Sequence, residues 1–221
     1  MTESAHNTNH FDPHPTDRLP RLAVLLSGAG RTLDNLLQWI RRGDLSAEIV
    51  VVASSKSLAR GLHVAQSAGV PAIVVERKDA SSDEEFSGSV FDALAPFEPD
   101  LIILAGFLRK LVVPPEWEGR ILNIHPALLP EMSAASGKGF YGERVHAEVL
   151  RRGSKLSGAT VHLVDNDYDS GQVLARAVVP VEPEDTVESL AARVFAAECQ
   201  LYPTTIRDYL ETIKFQDACG P

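Results

Sequence analysis

The feature that most constrains the fold of this chain is a repeated alternation of short apolar runs with amphipathic stretches. Residues 22–26 form an unbroken apolar run, which is typical of a strand buried on both faces of a parallel sheet. Residues 27–32 then form a turn with two glycines, and apolar residues at helical spacing follow from Leu33 to a predicted end near Gly43. The first unit is therefore a strand, a glycine loop and a helix.

The same alternation continues to the end of the chain. Further strands are predicted at residues 49–53, 72–75, 101–105, 121–124, 159–164 and 173–179, and further helices at 58–68, 84–94, 145–152 and 186–203. The last two strands can pair antiparallel across the turn at residues 168–171. The pattern predicts an α/β fold: a Rossmann-like, doubly wound and mostly parallel sheet with an antiparallel C-terminal portion.

Size and composition favour one globular domain. The chain has 221 residues, of which 44% are hydrophobic and 23% charged, so it can bury a core of ordinary size. We expect a single domain over residues 21–212, a disordered N-terminal tail over 1–20 and a flexible C-terminal tail over 213–221. The N-terminal tail contains three histidines, which could form a metal-binding tract, but we favour a disordered extension.

Charge and cysteine content exclude several classes of protein. The formal net charge is -9 and no stretch concentrates Lys and Arg, which disfavours a nucleic-acid interface. Cys199 and Cys219 do not stand at metal-ligand spacing, so neither a zinc site nor another metal site is expected. No apolar signal segment opens the sequence, which favours a cytoplasmic protein without a membrane partner.

The glycine loop is the first candidate site. Gly28 and Gly30 lie between a strand and a helix, where backbone N–H groups and the helix dipole favour an anion. A dinucleotide fingerprint would need a glycine where Leu33 stands, so a nicotinamide cofactor is disfavoured. The remaining interpretations are a site for one phosphate, with Arg31 and Thr32 as further donors, or a tight turn without a ligand.

The second candidate site follows the predicted strand at residues 121–124. Asn123 and His125 point to the same side of the chain because strand side chains alternate, and Pro126 then forces a turn. An amide and an imidazole together suit the attack of an amine on an acyl carbon, since the amide can donate to an oxyanion while the imidazole transfers a proton. A histidine packed in the core is the alternative for His125.

An acidic turn could complete this second site. Asp165, Asp167 and Asp169 crowd the turn between the last two strands. A carboxylate placed near His125 would favour the charged imidazolium. The alternatives are a solvated hairpin turn or a calcium-like loop, and the turn lacks the ligand spacing of a calcium loop.

Five segments of the chain form a recognisable set. They are Ser-Gly-Ala-Gly at 27–30, Ala-Gly-Phe-Leu-Arg at 105–109, Asn-x-His-Pro-x-Leu-Leu-Pro at 123–130, Gly-Ala-Thr-Val-His at 158–162 and Asp-Ser-Gly at 169–171. Together they resemble the phosphoribosylglycinamide formyltransferases, a family of folate-dependent enzymes of purine synthesis. The resemblance covers about residues 22–210, and the segment at 123–130 is its most specific part.

The resemblance implies a formyltransferase fold and a role for each matching residue. Asn123 would hold the formyl oxygen, His125 would act as the general acid, and Asp169 would keep His125 charged. Residues implied to bind the amine substrate are Gly30, Arg31, Thr32 and Glu198. Residues implied to bind the folate are Leu108, Arg109, Lys110, Leu111, Asn123, Asp165, Asn166, Asp167, Tyr168 and Asp169.

The implied partners are two small molecules, glycinamide ribonucleotide and 10-formyltetrahydrofolate, and the reaction needs no metal. A monomer or a homodimer is compatible with the sequence. The nearest alternatives are a formyltetrahydrofolate hydrolase and a methionyl-tRNA formyltransferase, which normally carry extra domains. A non-enzymatic module that binds phosphate or folate is a further alternative from another class.

The chain departs from the family pattern at three places. Arg31-Thr32 replaces the Ser-Asn or Thr-Asn that follows the second loop glycine in many relatives. Asp83 stands where the family often has an arginine that touches the folate, so that contact is expected to be lost. Residues 131–142 form a glycine-rich segment that we interpret either as a surface loop or as a lid over the substrate.

Overall fold

A computed structural model describes residues 18–130 and 142–219 of the chain, with the side chains of 214–219 left out. Most of the predicted N-terminal tail and nearly all of the glycine-rich segment 131–142, interpreted as a surface loop or a lid, therefore lie outside the described residues. Within the described part, the sheet has seven strands in the order β3-β2-β1-β4-β5-β6-β7. The strands are β1 Arg21–Leu26, β2 Glu48–Ser54, β3 Ala72–Val74, β4 Leu101–Leu104, β5 Ile121–His125, β6 Leu156–Leu163 and β7 Val173–Pro180.

Five helices connect and cover these strands, with three short 3-10 helices between them. They are α1 Arg31–Arg42, α2 Arg60–Ser67, α3 Asp83–Leu94, α4 Glu143–Arg151 and α5 Val187–Cys219, and the 3-10 helices are Arg77–Asp79, Ala95–Phe97 and Pro115–Trp117. The first five strands pair parallel, whereas β6 pairs antiparallel with both β5 and β7. The predicted fold class is thus confirmed, including the antiparallel C-terminal portion.

Alternation along the strands divides the core into two layers. In β1, Leu22, Val24 and Leu26 pack on the side of α1, α2 and α5. Ala23 and Leu25 pack on the opposite side with Phe86 and other residues of α3. Because every residue of the apolar run faces one of these two layers, the run is buried throughout, as expected for a strand covered on both faces.

The last helix is longer than the sequence predicts, and its predicted end at residues 202–203 was wrong. Helix α5 continues through Pro203 to Cys219, so the backbone of 213–219 is helical where a tail is expected. Proline leaves the carbonyl four residues earlier without its usual donor. Here Asn35 Nδ2 donates to that carbonyl, of Cys199, at 2.9 Å, so a side chain of α1 compensates for the missing hydrogen bond.

The same stretch of α5 is anchored on the sheet edge that carries the candidate site. The hydroxyl of Tyr202 is fully buried and lies 3.1 Å and 2.9 Å from the carbonyl oxygens of Leu104 and Leu122. These carbonyls belong to the neighbouring strands β4 and β5. The contact fixes the position of α5 relative to the strands whose ends line the site.

No helix in the described part of the chain is both long enough and apolar enough to cross a membrane.

Candidate active site

A cavity of about 530 Å³ lies at the carboxyl ends of β1, β4 and β5. Ligands of open parallel sheets bind at this edge, and the volume is in the range of small-molecule sites. Side chains from both layers line the cavity: Arg31 and Glu198 come from the side of α1 and α5, and Arg77 and Asp83 come from the side of α3.

The three predicted catalytic residues converge in this cavity. Asn123, His125 and Asp169 all line it. His125 Nδ1 lies 3.6 Å from Asp169 Oδ1, and the two side chains are only 5% and 12% exposed. At this distance the pair interacts as charges, or through a bridging water, rather than by a direct hydrogen bond. The alternative of a histidine packed in hydrocarbon does not fit, since His125 faces a polar cavity.

His162, to which sequence analysis assigns no role, fixes the orientation of Asn123. It is the partner of Asn123 in the β5–β6 register, and Asn123 Nδ2 lies 3.2 Å from His162 Nε2. His162 Nδ1 lies 2.8 Å from the carbonyl oxygen of Leu163 and therefore donates its proton there. Nε2 is then an acceptor, which requires the nitrogen and not the oxygen of the Asn123 amide to face it.

Asp169 also lies 3.6 Å from His162, through Oδ1 and Nε2, so one carboxylate faces two imidazoles. The antiparallel register of β5 and β6 explains the cluster, since it places residues 123 and 162 opposite each other at the strand ends. His162 could have been found from sequence. Side chains alternate along β6, so His162 lies on the same face as Thr160, and pairing β6 antiparallel with β5 places it opposite Asn123.

The turn that carries Asp169 is held by several local contacts. Asp169 has a positive φ of 54°, which aspartate tolerates better than most residues. Asp165 Oδ1 accepts hydrogen bonds from Asp167 N at 3.0 Å and from Ser170 Oγ at 2.9 Å. A side chain at Gly171 would come within 1.9 Å of the Leu163 carbonyl oxygen, so only glycine allows the turn to close this tightly. The carboxylate of Asp169 is thereby presented from a constrained backbone.

The segment after His125 is fixed by Thr160 of β6. Thr160 Oγ1 donates to the carbonyl oxygen of Ala127 at 2.7 Å and accepts from Leu129 N at 3.0 Å. All three groups are buried. The sharp turn predicted after His125 is thus tied to the antiparallel strand that also carries His162.

His146 of α4 is the third histidine in the cavity wall, after His125 and His162, and it was not identified from sequence. It is 4% exposed, and its Nδ1 has no hydrogen-bond partner among the described residues. Burial lowers the pKa of His146, and the nearby His125 lowers it further. His146 is therefore neutral near physiological pH. The apolar positions of α4 gave no signal for a polar role.

The predicted anion site lies on the side of α1 and α5. Gly30 is the N-cap of α1 with a φ of 78°, and a Cβ there would come within 2.5 Å of Gly61 Cα, so glycine is required. Gly30 does not line the cavity, whereas Arg31 and Thr32 do. The Arg31 guanidinium stacks on Phe195, with Cζ 3.6 Å from the ring centroid.

Glu198 lies beside this stack in the cavity wall. Burial raises the pKa of the Glu198 carboxyl to about 7, and the positive charge of Arg31 partly opposes the shift. Glu198 can therefore change its charge near neutral pH. Phe195 was not identified from sequence, although it stands one helical turn before Glu198 and so shares its face of α5.

Most residues predicted to bind folate line the same cavity. They are Leu108, Arg109, Lys110, Leu111, Asn123, Asp165, Asp167, Tyr168 and Asp169. Asn166 does not line it: its Oδ1 accepts a hydrogen bond from Val113 N at 2.8 Å, which fastens the acidic turn to the segment after β4. Lys110 Nζ lies 5.7 Å from the centroid of the Tyr168 ring, within the range of a cation–π contact.

Among the described residues, no group of three or more His, Cys, Asp or Glu side chains is arranged to hold a metal ion.

The chain is similar to known proteins over most of its length. The family described as formyl transferase matches residues 20–206. The chain is 35% identical to a phosphoribosylglycinamide formyltransferase of Haemophilus influenzae, over 87% of this chain and 88% of that protein. It is 38% identical to a trifunctional purine biosynthetic protein of Bos taurus, over 94% of this chain but only 20% of that protein.

Solved structures of such enzymes share the fold. A glycinamide ribonucleotide transformylase from Symbiobacterium toebii superposes with a TM-score of 0.80 and 36% identity, over 88% of this chain and 89% of that one. Asn123, His125 and Asp169 lie within the residues that the family match covers. From its sequence and its fold alike, the chain belongs to the formyl transferase family.

Proposed function

We propose that the chain transfers a formyl group from 10-formyltetrahydrofolate to the amine of N1-(5-phospho-D-ribosyl)glycinamide, a step of de novo purine (IMP) synthesis. The relatives named phosphoribosylglycinamide formyltransferase support this reaction. The observation that carries the proposal is the convergence of Asn123, His125 and Asp169 in a cavity whose wall also includes Arg31 and Thr32 at the start of α1.

The phosphorylated amine binds on the side of α1 and α5. Its phosphate is held by backbone N–H groups after Gly30, by Thr32 and by Arg31 at the positive end of the helix dipole. Glu198 faces the same space and can accept a hydrogen bond from the substrate when it is ionised. This arrangement brings the amine towards Asn123 and His125.

The amine nitrogen attacks the formyl carbon and forms a new C–N bond, and the formyl oxygen becomes an oxyanion. One hydrogen of Asn123 Nδ2 is directed to His162, so the other can be donated to that oxyanion. His125 donates to the same oxyanion. Asn123 and His125 thus bind the transition state more tightly than the planar formyl group.

Collapse of the intermediate breaks the bond to the folate nitrogen N10. His125, as the general acid, supplies the proton that N10 gains. The attacking amine gives up one proton, and this proton passes through water in the cavity to His125 and restores its charged form, so atoms and charges balance. Asp169 favours the charged form of His125. His146 stays neutral because it is buried beside His125, which leaves the positive charge on the residue that donates it.

The test is an assay with 10-formyltetrahydrofolate in the presence and absence of glycinamide ribonucleotide. We expect formylated product and tetrahydrofolate in equal amounts, with no release of tetrahydrofolate when the amine is left out. Release of formate at the same rate without the amine would replace the transferase by a hydrolase. Formylation of methionyl-tRNA instead of the ribonucleotide would move the chain to another branch of the family.

The His125→Ala variant separates an enzyme from a binding module. We expect turnover to fall at least a hundredfold while the dissociation constants of both substrates stay within about threefold. His63→Ala, which changes an exposed histidine of α2, is the matched control. Unchanged turnover in His125→Ala would refute the proposed mechanism.

A further inference from the structure

The cavity extends to both layers of the sheet, and it has cationic side chains on each side of Asn123 and His125. Arg31 lies on the side of α1 and α5. On the side of α3, Arg77, Arg109 and Lys110 line the wall, and we call these three residues the α3-side cluster. The proposed mechanism uses Arg31 but gives no role to Arg77, which sequence analysis did not identify.

Arg77 is held in place by two contacts. Its Nε donates to Asp83 Oδ1 at 3.0 Å, and its Nη1 donates to the carbonyl oxygen of Ala80 at 2.6 Å. The side chain is 26% exposed and lines the cavity. Its third nitrogen, Nη2, makes no hydrogen bond with any residue that the structure describes. The guanidinium is therefore oriented in advance, with donors left for a ligand.

Asp83 has a different effect from the one expected from sequence. An acid at this position was expected to remove a cationic contact, but the structure shows Asp83 bound to Arg77. The segment that follows Arg109 and Lys110 is also fastened to α3, because Val112 N donates to Ser87 Oγ of α3 at 2.8 Å. Asp83 thus orients Arg77, and Ser87 holds the neighbouring segment.

Resting on the proposed function, the geometry constrains where each substrate lies. The phosphorylated amine occupies the side of Arg31, and its nitrogen must reach the formyl carbon at Asn123 and His125. The formyl donor therefore extends from these residues towards the opposite side of the cavity, where the α3-side cluster lies. A pinned guanidinium with unused donors suits a carboxylate, which accepts two parallel N–H bonds.

We propose that Arg77, positioned by Asp83, binds the carboxylate end of the formyl donor and makes the enzyme selective for donors that carry a glutamyl group. Asp83 is a positioning residue, since it acts only through Arg77. Asp83 and Arg77 together thus provide a cationic contact for the donor.

The experiment compares two donors, 10-formyltetrahydrofolate and 10-formyltetrahydropteroate, which lacks the glutamyl carboxylates. In Arg77→Gln we expect the KM for the glutamyl donor to rise about tenfold, because hydrogen bonds between charged groups are lost. The KM for the glutamyl-free donor, the KM for the amine and kcat should stay within twofold of the unmodified enzyme. Arg60→Gln, which changes an exposed arginine of α2 outside this cavity, should leave all four values unchanged.

Asp83→Asn is the second variant. It keeps the cation but weakens its fixation, so we expect about a threefold rise in KM for the glutamyl donor only. Thermal melting checks that both variants are folded, and if Arg77→Gln does not fold, Asp83→Asn decides the matter by the same measurements. An equal rise in KM for both donors, or no rise for either, would overturn the assignment.

Failure of this inference is distinguishable from failure of the proposed function. Calorimetric titration with tetrahydrofolate and with tetrahydropteroate measures the same selectivity without turnover. If the unmodified enzyme catalyses no transfer but Arg77→Gln still weakens only tetrahydrofolate binding, the inference stands and the proposed reaction fails. If transfer occurs and the two donors are not discriminated through Arg77, the reaction stands and the inference fails.

Discussion

The centre of the cavity differs in construction from its two ends, which are the end at Arg31 beside α1 and α5 and the end at Arg77 beside α3. At the centre, Asn123, His125 and His162 belong to strands, and their relative positions follow from the β5–β6 register. At the ends, Arg31 and Arg77 reach the cavity through long side chains held by Phe195 in one case and by Asp83 in the other. Under the proposed mechanism, catalysis would therefore depend on backbone pairing, whereas substrate recognition would depend on side-chain contacts.

If this division holds, substitutions at the centre should reduce kcat and substitutions at the ends should raise KM. The largest effect is expected for Asn123→Ala, which removes the donor to the oxyanion. We expect kcat to fall about 10²- to 10³-fold with KM values changed less than threefold. Steady-state kinetics measures this, and Gln66→Ala on the exposed face of α2 is the control. A rise in KM with kcat preserved would assign Asn123 to binding instead.

The next effect in size concerns the charge at the centre. Asp169→Asn removes the carboxylate 3.6 Å from His125 and so disfavours the imidazolium. We expect kcat to fall about a hundredfold at pH 8, and the decline of the rate with rising pH to begin at a lower pH than in the unmodified enzyme. The control is Asp208→Asn, at a side chain that is 67% exposed. Superimposable pH–rate profiles would contradict the role of Asp169.

A smaller effect is expected at His162, which acts through Asn123. His162→Ala removes the acceptor for Asn123 Nδ2, so the amide can rotate away from the oxyanion. We expect about a tenfold loss in kcat, and His162→Gln should restore part of it because its side-chain oxygen can accept the same hydrogen bond. Full activity of His162→Ala would show that the orientation of Asn123 is fixed in another way.

The sequence alone predicts the layers of the fold and two of the residues at the centre of the cavity. The apolar runs and helical spacings predict the seven strands and the five α-helices that the structure describes, but not the 3-10 helices. Asn123 and His125 follow from alternation before Pro126. The connection from Asp169 to this pair came from a resemblance, because residues 44 positions apart along the chain become neighbours only through the antiparallel return of β6.

What the sequence could not show depends on contacts between distant elements. The continuation of α5 past Pro203 depends on Asn35 of α1, whose side chain no local pattern assigns to that carbonyl. Arg77 was missed because it lies in a short 3-10 helix without periodicity, and its orientation depends on contacts with Asp83 and with the carbonyl oxygen of Ala80. Side-chain partners of this kind leave no regular spacing in a sequence.

The smallest expected effect concerns the end of the cavity that holds Glu198, and it is an effect on stability. The folded-state pKa of about 7 lies above the ordinary value of 4.5. The stability contributed by protonated Glu198 is therefore complete below about pH 4.5 and is lost as the pH rises through 7. Between pH 5.5 and pH 8, we expect the melting temperature of the unmodified protein to fall by about 3 °C more than that of the Glu198→Gln variant.

Exposed Glu211→Gln serves as the control for this comparison, since it changes the same charge on the same helix. An identical dependence of melting temperature on pH in all three proteins would show that Glu198 is not held in an environment that disfavours its charge.

The most direct test of the division between centre and ends is a pair of measurements on His125→Ala and Arg31→Gln. Each variant is titrated with glycinamide ribonucleotide by calorimetry, and its single-turnover rate is measured with both substrates saturating. We predict that His125→Ala keeps the dissociation constant within threefold and loses at least a hundredfold in rate. Arg31→Gln should weaken binding about tenfold and keep the rate. Equal losses of rate and of affinity in both variants would contradict the account.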